Sequence, residues 1–356
     1  HQEARRQRQM CIRDSSKTVW QTEDRELAPG RAVTLRWDNG QGLVFLHRIS
    51  MDKDYLFTVT QEVQNTGAAA VALAPYGLIN RVRNEAPPGI FILHEGPLGV
   101  LEGALNEISY DTLAEDKSQS FRHTDGWLGI TDKYWLSALI PDQASPFTAN
   151  FSYYETKGDK RFQADYLGKA QSLEAGGTLT VTTHLFAGAK EVSVLDRYTT
   201  ELNIPLFDRA VDFGYLYFLT KPIFKLLNYF YLLLGNFGLA ILLMTVLIKA
   251  VMFPLANKSY KAIGQMKKLQ PEMQRLKERY KDDRMQFQQE LMALYRKEKV
   301  NPASGCLPML IQLPVFFALY KVLFVTIEMR HAPFYGWIED LSAPDPTNIF
   351  TLFGLL

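Results

Sequence analysis

Along the first part of the chain, apolar and polar residues alternate in short runs. Further on they give way to long unbroken apolar stretches. From Ser16 to Asn203 the period is close to two, the spacing of a half-buried strand. "RAVTLRWDNGQGLVFLHRIS" alternates on both sides of Asp38-Asn39-Gly40, which predicts a hairpin. "YLFTVTQEVQNTGAAAVAL" repeats the scheme around Asn65-Thr66-Gly67, and "FTANFSYYETKGDKRFQADYLG" repeats it around Lys157-Gly158-Asp159. Gly176-Gly177 precedes one more strand in "LEAGGTLTVTTHLFAG". Long helical periods are absent here, so residues 16–205 are expected to form a large all-β sandwich.

Beyond this half the pattern changes. Lys225 is followed by 23 uncharged residues, Leu226–Ile248, and Lys249 by eight more, Ala250–Asn257. About 20 apolar residues cross a bilayer, which predicts a transmembrane helix over 233–256. "FGYLYFLTKPIFKLLNYFY" (213–231) is aromatic-rich and carries Lys221 and Lys225. Residues 206–232 therefore read as a linker and an interfacial amphipathic helix. The alternative is an extension of the span with a bend at Pro222. A second span is predicted over 301–327, where Val300–Tyr320 are 21 uncharged residues including Pro302, Pro308 and Pro314. Lys321 sits near its outer end and reads as a snorkelling residue. Residues 328–346 form a loop, and "TNIFTLFGLL" (347–356) begins a further, truncated span. The opening "HQEARRQRQMCIRDS" (1–15) has no apolar period and reads as a disordered or extraneous tail, neither signal peptide nor anchor.

Between the spans the period becomes helical. Ala262, Met266, Leu269, Met273, Leu276 and Tyr280 are spaced 4, 3, 4, 3, 4, a heptad seam. Asp283 is placed to cap a second helix, with Gln286 as capping-box partner. Phe287, Leu291 and Leu294 continue the seam until Asn301-Pro302. Residues 257–300 are thus expected to form an antiparallel hairpin of two helices of about 20 residues each, a length set by the heptad run. It is either a solvated connector or a surface that recruits clients.

Charge orients these elements. Residues 258–299 carry twelve basic and six acidic residues, whereas 328–346 carry one arginine and four acids. The positive-inside rule puts the hairpin in the cytoplasm and the β-half and 328–346 loop outside. An exported β-domain needs a delivery signal, so an anchor upstream of the β-half is expected. The whole chain has 39 basic and 38 acidic residues, which argues against direct nucleic-acid binding. Two distant cysteines, Cys11 and Cys306, and six unclustered histidines offer no disulfide framework, metal site or cofactor. No nucleophile or nucleotide motif is present, so no enzymatic activity is expected.

Lys249 interrupts the apolar run. A lysine deep in a span costs about 2.5–3.5 kcal/mol on insertion scales. It either snorkels to the headgroups or serves a function. Thr245 lies one turn away on the same face, and Gln312 is a polar residue at depth in the second span. Polar groups on helices that pack together suggest a wet, protein-lined pocket.

The motifs "NFGLAILLMTVLIKAVMFPL", "MKKLQPEMQRLKERYKDD", "QQELMALYRKEKVNPASGCLPMLIQLPVFFALYKVL" and "EMRHAPFYGWIEDLSAPDP" closely resemble the YidC branch of the YidC/Oxa/Alb membrane protein insertases. "GWLGITDKYWLSALIP" and "HLFAGAKEV" fit that family's periplasmic domain more loosely. The resemblance implies a non-catalytic periplasmic β-supersandwich related to sugar-mutarotase folds. It also implies an α-helical polytopic core around a hydrophilic groove, with a cytoplasmic helical hairpin. Lys249 stands where relatives usually carry arginine, and Thr245 and Gln312 match groove-lining positions. The implied partners are nascent membrane-protein clients, the Sec translocon, the ribosome and the lipid bilayer of the bacterial inner membrane. Two rival readings are a transporter or channel subunit with a charged intramembrane site and a membrane-anchored glycan-binding β-protein.

Overall fold

The computed structural model describes residues 18–84, 93–281, 283–298, 300–301 and 303–343. The expected tail at 1–15 and the truncated span at 347–356 lie outside the described residues. The chain divides into two compact units, His1–Asp212 and Phe213–Leu356.

The first unit is built on sheets. In chain order its strands are β1 (Val33–Asp38), β2 (Leu43–Met51), β3 (Leu56–Asn65), β4 (Val71–Leu73), β5 (Tyr76–Val82), β6 (Gly96–Leu101) and β7 (Ala104–Glu107). Then come β8 (Ser118–Thr124), β9 (Trp127–Thr131), β10 (Trp135–Ile140), β11 (Phe147–Thr156), β12 (Asp159–Gly168), β13 (Gln171–Leu173) and β14 (Thr178–Ala189). Eight strands form one sheet in the order β1-β2-β3-β14-β10-β9-β6-β7, and β5-β12-β11-β8 form a second. The two sheets meet over an apolar core. Leu101, Leu128, Ile130 and Leu139 come from the large sheet, and Phe147, Phe151, Phe162 and Tyr166 from the small one. Alternation sends every second side chain of these strands into this core, and β6 and β9 are buried on both faces.

The hairpins at Asp38-Asn39-Gly40 and Lys157-Gly158 form as predicted. Lys157 and Gly158 both take positive φ (56° and 88°), which a two-residue turn requires. The hairpin expected at Asn65-Thr66-Gly67 does not form. β3 pairs with β2 and β14, while β4 leaves the sheet to pair with β13. Asn65 is buried and its side chain donates to the carbonyls of Ala69, Leu173 and Glu174, so it turns the chain toward β13. Two short helices, α1 (Tyr110–Asp116) and α2 (Val192–Glu201), interrupt the all-β pattern.

The second unit is helical: α3 (Tyr217–Leu234), α4 (Phe237–Arg279), α5 (Arg284–Lys297) and α6 (Ala303–Val325). The charge-free run Leu226–Ile248 is not one helix. It breaks between Gly235, where α3 stops, and Asn236, whose side chain caps α4 by accepting from Leu239 N at 3.1 Å. Pro222 does not end α3, which continues through it. α4 is 43 residues long and also runs through Pro254 and Pro271, so the backbone has no break at the expected boundary between span and hairpin. The second hairpin helix has 14 residues rather than about 20, because Asp283 and Glu298 bracket it closely. α3, α4 and α6 pack on one another. The helices α4 and α6 are long and apolar enough to cross a membrane.

Candidate functional site in the helical unit

Two contacts set how α4 and α6 lie together. Buried Ser259 of α4 donates its Oγ hydrogen to the carbonyl of Gly305, at the start of α6, at 2.7 Å. At the other end, the Phe334 ring, beyond α6, covers Gly238 of α4. A Cβ there would fall 2.2 Å from Phe334 Cδ2, so only glycine admits the ring. Asn236 Nδ2 adds a bond to the Phe334 carbonyl at 3.4 Å. The helices are therefore antiparallel.

The contact stripe of α4 runs through Phe237, Ala240, Met244, Ile248, Met252 and Ser259. At about 100° per residue, Thr245 lies roughly 60° and Lys249 about 100° from Ile248. Both occupy the flank of that stripe, and both are exposed. Thr245 returns its hydroxyl to the Ile241 carbonyl at 2.9 Å, which hides its donor within the helix. Lys249 makes no hydrogen bond or ion pair among the described residues. Gln312 is half-buried within the packed stripe of α6. Counting seven residues from the Ser259–Gly305 contact on each helix sets Gln312 level with Met252. That is about 4–5 Å in depth from Lys249 at 1.5 Å per residue. Lys321 lies at the other end, its Cε 3.5 Å from where a Gly214 Cβ would stand.

The heptad seam is the covered face of the lower half of α4. Met266, Leu269, Met273, Leu276 and Tyr280 are half-buried and Ala262 is buried, with exposed residues between them apart from Ile263. On α5, Leu291 is half-buried and Leu294 buried. α5 folds back on α4, and Tyr295 donates its hydroxyl hydrogen to Met273 Sδ at 3.6 Å. Asp283 caps α5 by accepting from Met285 N and Gln286 N. The Asp283 N–H goes to the Tyr280 carbonyl instead of the Gln286 side chain, so the capping box is only half made. The seam residues are thus largely spent on internal packing. The uncovered surface of the pair carries its basic residues, with Tyr260, Met285 and Met292 exposed among them.

Sequence reasoning missed the Ser259–Gly305 and Gly238–Phe334 contacts. Their signal was the placement of small residues on the inner face of each helix. It also missed a buried charged cluster in the sheet unit. Lys190 is 3% exposed and donates to Thr131 Oγ1 at 2.7 Å. Burial pulls its pKa from 10.5 down to about 8, against the opposing pull of Asp212, Asp132, Glu95 and Glu107. Arg83 shares two of these acids, paired to Glu95 at 2.9 Å and Asp132 at 3.2 Å.

The chain is similar to known proteins along nearly all its length. Residues 6–226 match the family described as the YidC periplasmic domain, and residues 229–356 match the 60Kd inner membrane protein family. The membrane protein insertase YidC of Nitrobacter hamburgensis is 54% identical over 350 residues, 95% of this chain and 58% of that protein. The insertase YidC of Rickettsia typhi is 51% identical over 343 residues, 96% of this chain and 62% of that protein. The chain thus spans about three-fifths of these curated relatives. Among solved structures, a galactose mutarotase related enzyme from Lactobacillus acidophilus aligns with 47% of this chain and 70% of its own. Its TM-score is 0.36 at 11% identity, a likeness too distant to bear on the chemistry. With both halves matched in order, the chain belongs to the YidC family of inner membrane proteins, its sheet unit being the family's periplasmic domain.

Proposed function

We propose that this chain acts as part of a membrane protein insertase of the bacterial inner membrane. The observation that carries the reading is the half-identity, along almost the whole chain, to proteins curated as insertases. On this reading residues 16–205 lie in the periplasm and 206–232 form the linker and interfacial helix. Residues 233–256 and 301–327 span the bilayer. The α4–α5 hairpin, 257–300, lies in the cytoplasm and the 328–346 loop outside. The twelve basic residues of 258–299 support that orientation.

Lys249, Thr245 and Gln312 then line the route of the client. An acidic outer segment of a nascent membrane protein enters from the cytoplasm and its carboxylates are drawn to Lys249. The gross attraction at about 4 Å and an effective dielectric near 20 is ~4 kcal/mol. Desolvation removes much of it, which suits capture followed by release. The client's apolar segment then partitions into lipid at about 0.8 kcal/mol per buried methylene. No bond is made or broken in this scheme. The basic, uncovered face of the hairpin suits early contact with clients, the ribosome and the Sec translocon, and the half-buried seam keeps the two helices together.

Full-length protein carrying Lys249→Arg retains insertion. Lys249→Glu impairs it for clients with acidic outer segments and spares clients with neutral ones. Undiminished insertion of acidic clients by Lys249→Glu refutes the attraction mechanism.

A further inference from the structure

In the sheet unit a half-open cavity of about 260 Å³ lies where the end of β2, the start of β3 and β14 meet α2. That is far above the ~10–15 Å³ that admits one water. Its polar lining is Ser50, Asp52, Thr58, His184, Tyr198 and Glu201, with no lysine or arginine among the lining residues. Asp52 is held as a carboxylate. Burial alone would raise its pKa, but the Tyr198 hydroxyl and the N–H groups of Leu56 and Asp54 donate to it, Arg197 stands nearby, and the net effect lowers it. Glu201 adds a second carboxylate at the rim, its side chain 62% exposed. The neighbouring guanidinium of Arg197 is engaged by Asp54 and stands 3.9 Å from Glu201. Asp52, Asp54 and Glu201 thus share one guanidinium, which leaves an excess of carboxylates at the cavity.

His184 supplies a different kind of group. Its Nδ1 shares a hydrogen bond with Thr58 Oγ1 at 3.2 Å, and burial favours the neutral ring. Its Nε2 makes no hydrogen bond among the described residues, and neither does the Ser50 hydroxyl. Two carboxylates that favour a cation thus face two neutral groups that exchange hydrogen bonds with a hydroxyl. Among the described residues no three His, Cys, Asp or Glu side chains lie close enough together to form a metal-ligating group.

We propose that this cavity binds a small hydroxylated amine, its ammonium held by Glu201 and Asp52 and its hydroxyl by His184 and Ser50. Free amino alcohols, amino sugars and ethanolamine lipid headgroups share that chemistry. The test uses the full chain in an amine-free detergent, titrated calorimetrically with ethanolamine. Saturable binding is expected, with ethylene glycol and phosphate giving none. Glu201→Gln should weaken ethanolamine about tenfold, the loss of one charge-assisted hydrogen bond. His184→Gln should weaken ethanolamine but leave methylamine, which has no hydroxyl, unchanged. Glucosamine and a short-chain phosphatidylethanolamine, run against phosphatidylcholine, then assign the source. Equal heats for ethanolamine and ethylene glycol, or ethanolamine binding indifferent to both substitutions in folded protein, overturn the proposal.

Discussion

Lys190 makes the stability of the sheet unit depend on pH in an unusual direction. Its ammonium is buried and its pKa falls from 10.5 in the open chain to about 8 in the folded one. Below about pH 8 both states carry the proton, and the folded state bears the cost of a buried charge. At about 1.4 kcal/mol per unit, the 10.5-to-8 shift amounts to ~3 kcal/mol. Between those two values the unfolded chain binds the extra proton, so stability rises with pH. Integration over both titrations gives about 2 kcal/mol between roughly pH 7 and 9.5. Above about 10 the effect is opposed: burial holds the Tyr110 and Tyr198 hydroxyls protonated in the fold, and their ionisation favours unfolding. The assay is urea unfolding of the chain in detergent, followed by tryptophan emission. Trp127 is fully buried, against Phe207 at 5.1 Å, and reports on this unit. The wild type should gain about 2 kcal/mol across that pH interval relative to Lys190→Met. Parallel stability curves for the two proteins would show that the ammonium is not desolvated, and the reasoning fails.

The remaining predictions are local. Gly238→Ala thrusts a Cβ to 2.2 Å from the Phe334 ring and should cost about 1–3 kcal/mol, read as faster proteolysis in the 328–343 loop. Adding Phe334→Ala should restore resistance, and no restoration would mean that the ring does not press on Gly238. Asp283→Ala removes the cap of α5 and should cost about 1 kcal/mol. Amide exchange at Met285 and Gln286 should then rise while the sheet unit is unaffected.

Much of this structure could be read where contacts are local and periodic. The seam from Ala262 to Tyr280 is half-covered at its predicted positions because a heptad on a helix can only present one face. Lys157-Gly158 closes its hairpin because the turn chemistry is contained in two residues. Reading failed where a partner is distant. The strand beside β3 is β14, more than a hundred residues later, so the alternation before and after Asn65-Thr66-Gly67 looked like a hairpin and was not. The break at Gly235-Asn236 was hidden because a count of uncharged residues treats both as apolar. Lys249 announced itself by its charge, and its position on the flank of the contact stripe came only from the packing of α4. The His184 cavity draws on β2, β3, β14 and α2, and no linear motif joins them.

The unbroken length of α4 has a mechanical consequence. At 1.5 Å per residue its 43 residues form a rod of about 64 Å. The hydrogen bond from Ser259 to Gly305 holds that rod near its middle, as a pivot holds a lever. The arm from Ser259 to Arg279 is about 30 Å long, so a 10° tilt there moves its tip by about 5 Å. The opposite arm is tied at its far end, where Phe334 covers Gly238, so Lys249, ten residues from the pivot, does not swing freely with it. A pull on the basic tip is therefore taken up first at Pro271 and Pro254, which lack the backbone N–H that would stiffen the helix, before it reaches Lys249.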